Sequence, residues 1–163
     1  MEQVESLCTV LGDETRVCDA LASVLRHEQR AVVELRPEVL LSCVEERLTL
    51  QGELERLMGQ RRALVGNLAD ELGADRRAGS VSALLPFLPP DPRSKVRARV
   101  RALRRALLEA RSLERQNELL VGASLEHVNE LMRALAALVP GTRYDRGAQL
   151  ATPGGVEHVD RRA

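Results

Sequence analysis

Aromatic side chains are almost missing from this sequence, which holds one Phe, one Tyr and no Trp in 163 residues. Sheets draw heavily on aromatic and β-branched residues, so a β-sandwich or barrel is already excluded as the economical reading. The 44% of residues that are hydrophobic must then form a core of Leu, Ala and Val, which suits helices. Lysine is nearly absent as well: Lys95 stands alone among 24 basic residues, an arginine bias that carries no functional weight. There is no net charge, so nothing pulls the chain as a whole toward nucleic acid or an anionic membrane. Cysteine is sparse and odd in number; Cys8, Cys18 and Cys43 form no CxxC pair, which excludes a disulfide framework and implies a reducing compartment. No apolar run is long enough to span a bilayer. Glu2 and Glu5 stand where a signal peptide would carry positive charge. The expectation is a cytoplasmic protein without membrane insertion.

Chemical motifs are missing too. The sequence has no GxxxxGK[ST], GxGxxG or HExxH, which removes the visible routes to nucleotide, dinucleotide and zinc-protease chemistry. His27, His127 and His158 lack partners at metal-ligand spacing. Carboxylates alternate with arginines along helix faces as solvated ion pairs do, and no acid and base stand out as a pair. No catalytic residue, cofactor or metal is expected, and the chain does not read as an enzyme.

What is present is helical periodicity. Over residues 2–35, Val4, Leu7, Cys8, Leu11, Val17, Cys18, Leu21, Val24, Leu25, Val32 and Leu35 recur at spacings of three and four, one apolar stripe on a helix. Arg36-Pro37 breaks it, because proline lacks an amide donor and drives its predecessor out of the α region. A second helix is predicted over 37–72, closed by Gly73. Inside it Gly52, Gly59 and Gly66 recur in line with Gly73. This line of glycines allows two readings, close approach of another helix or simple tolerance of three weak positions. Residues 73–92 are rich in Gly, Ser and Pro and read as a connector, in which Ser80 can cap a short turn carrying Val81, Leu84 and Leu85. Phe87 is expected to seal this connector onto the end of the bundle.

The third helix is the longest, predicted over 93–139, about 70 Å at about 1.5 Å per residue. Its stripe holds Val96, Val100, Leu103, Leu107, Ala110, Asn117, Val121, Ser124, Val128, Leu131, Leu135 and Leu138 in heptad register. Glu114, Asn117 and Ser124 make its middle polar; a buried Asn sets register at a cost in stability. The fold class is therefore all-α, an elongated antiparallel three-helix bundle or coiled coil with a long third helix. Residues 1–139 form the helical domain. Beyond Pro140-Gly141 the periodicity stops, and 140–163 reads as a mobile C-terminal tail with Tyr144 as its one large anchor.

The one strong local charge feature is Arg93, Lys95, Arg97, Arg99, Arg101, Arg104 and Arg105, seven basic groups in thirteen positions. A nucleic-acid or membrane-surface adaptor is the reading it invites. Zero net charge, the lack of stacking aromatics and acidic residues on the other helices argue against it.

Taken together, the helical hairpin, the Gly/Pro connector, the third helix with LERQNELLVGASL and the following TRYDRG resemble the FlgN-type family of flagellar type III export chaperones. The family stretch Leu-Asn-x-x-Asn-x-x-Leu-Ile is matched at Leu113, Asn117, Leu120 and Val121, with Glu114 replacing the first Asn. A family tyrosine followed by glycine is matched at Tyr144 and Gly147. The resemblance implies a chaperone for hook-filament junction (hook-associated) proteins, whose amphipathic terminal helices it covers before release at the cytosolic domain of the export gate. On that reading Asn117, Leu120, Val121, Ser124, Val128, Leu131, Leu135 and Leu138 contact the client, and Tyr144 and Gly147 serve docking at the gate. A self-associating coiled-coil scaffold, including a homodimer, is the alternative in which the long seam is covered by a second copy.

Overall fold

Proline sets the first reversal. The computed structural model describes residues 2–74 and 79–138, with side chains up to Ala136. Helix α1 runs Glu2–Val33 and α2 runs Pro37–Leu72. Between them Leu35 takes a left-handed backbone with φ 54°. Its amide donates to Val32 O at 3.2 Å, while that of Arg36 reaches back to Ala31 O at 2.9 Å, which closes the exposed carbonyls of α1 in a Schellman motif. The motif ends α1 at Val33, two residues before the apolar spacing does. Arg36 sits at φ −105°, ψ 84°, as a residue before proline must, and Pro37 opens α2. The far end of α2 repeats the device with glycine: Gly73 has φ 65°, and Ala74 N donates to Ala69 O at 2.9 Å.

The connector is more ordered than its composition suggests. Ser80 caps a four-residue helix α3, Val81–Leu84, its hydroxyl accepting from Ala83 N at 3.3 Å. A 3-10 turn, Leu85–Phe87, follows. Val81, Leu84 and Leu88 are buried and seal this segment onto the bundle, whereas Phe87 is half exposed. The expectation that Phe87 makes the seal is thus corrected: three aliphatic side chains supply it, and the ring lies at the surface. Helix α4 begins at Pro90 and runs to Leu138. Prolines 90 and 92 fall in its first turn, where amides have no intrahelical acceptor and proline does no harm, so the helix starts three residues before the spacing suggests.

The chain divides into two compact units, residues 1–120 and 121–163. In the first, α2 runs antiparallel to α1, with Arg61 meeting Glu14 and Arg47 meeting Glu28. α4 runs parallel to α1, with Arg99 beside Gly12, Glu109 beside Arg26 and Asn117 beside Leu25. The result is an all-α, up-down-up three-helix bundle. Its main core joins Leu7, Leu11 and Cys18 of α1 to Val65 and Leu68 of α2, Leu84 of α3, and Val96 and Leu103 of α4. A second cluster, Val17, Leu21, Leu57 and Ala110, continues it.

The glycine line is now explained. A methyl group added at Gly52, Gly59 or Gly66 would meet nothing within 4 Å, so no helix among the described residues approaches closely there. Each interior glycine costs about 1 kcal/mol relative to alanine, and one fully buried leucine returns about 2 kcal/mol. Leu57 and Leu68 on the same helix are fully buried, which is enough to carry three weak positions. In the second unit the described portion is α4 from Val121 to Leu138.

Candidate functional site

The stripe on α4 changes its environment partway along. Val96, Leu103, Ala106, Ala110 and Asn117 are buried in the bundle. Leu120, Val121 and Ser124 are half-buried. From Leu125 onward every described residue is exposed, and Leu125, Val128, Leu131, Met132 and Leu135 each present more than half of their surface to solvent. These five recur at spacings of three and four, so one face of about three turns carries them. Single exposed leucines are common on protein surfaces, but five in register form a contiguous apolar strip. The expected set Val128, Leu131 and Leu135 lies on it. Leu125 and Met132 were not expected; they flank the heptad positions and widen the strip beyond a two-position seam. Leu138 belongs to α4, and its side chain falls beyond those described; Tyr144 and Gly147 lie outside the described residues altogether.

Asn117 does not belong to this strip. It is buried; its carboxamide donates to Leu25 O at 2.9 Å and to the Glu28 carboxylate at 3.2 Å. Glu28 in turn lies 3.5 Å from Arg47 Nη1. One residue from each long helix thus meets in a buried polar node: the Asn117 amide group donates to α1, while its carbonyl oxygen is buried without a hydrogen-bond partner among the described residues, so Asn117 sits in the bundle and not on the exposed strip. A second such node lies fourteen positions earlier on α1, where fully buried Glu14 accepts from Arg61 Nη1 at 2.9 Å. Burial pushes the Glu14 carboxyl above its ordinary range, and the Arg61 guanidinium opposes that shift.

Glu14 and Glu28 were missed by sequence reasoning. The signal was there: in the stripe of α1 the positions between Leu11 and Cys18 and between Leu25 and Val32 are filled by glutamate at the seam spacing. Beside these nodes opens a cleft of about 380 Å³. Glu14, Cys18, Leu21 and Leu25 of α1 form its floor, Leu54 and Met58 of α2 one wall, and Leu107 and Ala110 of α4 the other.

Other expected features have found their places. Cys18 is buried and its thiol is pushed up to about 11, chiefly by burial and then by Glu14 and Asp19, so it is a protonated core residue at neutral pH. Arg93 leaves the basic run: its guanidinium donates to Leu88 O at 2.7 Å and to Pro86 O at 3.1 Å, clamping the 3-10 turn to the start of α4. No helix among the described residues is long and apolar enough to cross a membrane.

No curated protein and no solved structure matches the chain. The family model described as FlgN protein matches residues 1–152. A match over nearly the whole chain shows that this chain, a three-helix scaffold with an exposed leucine strip, belongs to the FlgN family of flagellar export chaperones.

Proposed function

We propose that this protein binds the amphipathic C-terminal helices of flagellar hook-filament junction proteins, keeps them from associating prematurely in the cytoplasm and delivers them to the export gate. The observation that carries the proposal is the exposed face of α4 formed by Leu125, Val128, Leu131, Met132 and Leu135. An amphipathic client helix laid along it removes apolar surface from water on both sides, the helix-in-groove mode of recognition. Leu120, Val121, Ser124 and Leu138 are assigned to the same client contact. A standard interface buries about 800 Å² per partner, and such a client helix would need contacts beyond these five side chains to reach it. Tyr144 and Gly147 are assigned to docking at the cytosolic domain of the export gate.

Calorimetric titration with a synthetic terminal helix of a hook-filament junction protein tests this. One-to-one binding with micromolar or tighter affinity is the expected result, and no heat of binding removes the proposal. Light scattering on the free protein addresses homodimerisation: a dimer that dissociates on peptide addition means that a second copy covers the strip at rest.

A further inference from the structure

The basic run on α4 has a geometry that its sequence only hints at. Arg97, Arg101, Arg104, Leu108, Arg111 and Arg115 advance by alternating steps of four and three, which confines them to an arc of about 80° on the helix. All six are exposed. They form a straight row about 27 Å long whose centre is turned away from Leu103 and Ala110 in the core, while Arg111 at its edge also lines the cleft beside them. Acidic residues on α1 and α2 do not neutralise it. Among the described residues none of these five arginines has a carboxylate within 4 Å: Glu114 and Glu118, one and three positions from Arg115 along α4, make no ion pair with it, and Glu109 is engaged by Arg26. Leu108 stands in the middle of the row, more than half exposed, and together with Ala98 lines a shallow groove between Arg101, Arg104 and Arg105.

We propose that this row is a docking surface for a partner helix bearing an acidic stripe with an aliphatic residue at its centre. Carboxylates three and four residues apart on a helix repeat with the same period as the row. Two such helices side by side therefore pair every charge in register, as flanking charges do across a coiled coil. Leu108 supplies a small apolar centre inside a charged rim.

Other anionic partners fit less well. A duplex is bound by domains of net positive charge, and this chain has none. Single strands need rings on which bases stack, and Phe87, the one aromatic among the described residues, lies in the turn before α4 and not on the row. A lipid surface takes up apolar side chains beside the cations, and the row offers only Leu108. This site is independent of the leucine strip and does not rest on the client proposal.

The experiment is fluorescence anisotropy of the full chain with a stapled acidic helix three heptads long, its glutamates in one stripe and a leucine at the centre. The comparison peptide has the same composition with the glutamates dispersed around the helix. Saturable binding that prefers the striped peptide is expected, together with weakening as salt rises from about 50 to about 300 mM. Loss of about tenfold in affinity in R101E/R104E is also expected. That variant alters only exposed side chains; circular dichroism and unchanged binding of the client helix report that it is folded. Failure to bind the striped helix, equal binding of the dispersed one, or undiminished binding by R101E/R104E overturns the proposal. So does tighter binding of single-stranded RNA or of phosphatidylglycerol vesicles.

Discussion

Asn117 on α4 donates its carboxamide to the carbonyl oxygen of Leu25 on α1 at 2.9 Å, and this contact lies where the covered half of the long helix gives way to the exposed half. A polar residue at a seam position fixes the register of the helices it joins, and Glu28 and Arg47 tie the same point to α2. Replacing Asn117 with alanine removes those bonds and leaves a void, so a loss of about 1–3 kcal/mol is expected in urea unfolding.

Glu14 gives the protein a pH-dependent stability of definite sign. Its folded carboxyl titrates above the unfolded value, so the native state binds a proton more readily than the unfolded chain. The associated stability is fully present below the unfolded value of about 4.3 and is lost as pH rises through the folded one. Glu14→Gln should flatten that slope in thermal melts across this window. Arg61→Ala should cost about 3–5 kcal/mol at neutral pH, because it strands a buried carboxylate, and less in acid, where Glu14 is protonated.

Leu35 occupies the left-handed region with its side chain in solvent. An L-residue with a Cβ loses about 1 kcal/mol there, and glycine does not. Leu35→Gly is therefore expected to stabilise the protein by up to about 1 kcal/mol, read as a rise in melting temperature.

Buried Cys18, its thiol pushed up to about 11, should resist alkylation in the native protein at pH 8 and react on unfolding. Mass spectrometry after a short iodoacetamide pulse checks this, and native labelling of Cys18 would contradict its place in the core.

Much of the fold is legible in the residues themselves. The alternation of three and four spacings marks all three long helices, Arg36-Pro37 and Gly73 mark their ends, and Ser80 marks the short helix in the connector. Boundaries slip where local chemistry is ambiguous: prolines 90 and 92 look like connector until the first turn of α4 accommodates them, and Leu35 looks like stripe until it takes a positive φ. The polar nodes are harder to read. Glu14 and Glu28 fill seam positions, but only the arginines of α2, forty-seven and nineteen residues further on, make their burial affordable. The division of α4 into a covered and an uncovered half is least visible, because Leu103 and Leu131 sit in the same register and differ only in what surrounds them.

Hydrogen exchange along α4 tests the central claim most directly. In the free protein, amides from Leu125 to Ala136 should exchange much faster than those from Val96 to Ala110, since every residue of the first stretch is exposed and the second is anchored in the core. Addition of a client terminal helix should slow exchange in the Leu125–Ala136 stretch, and Leu131→Asp with Leu135→Asp should abolish the effect without changing the melting temperature. Protection that appears only elsewhere, or that survives both substitutions, would contradict the account.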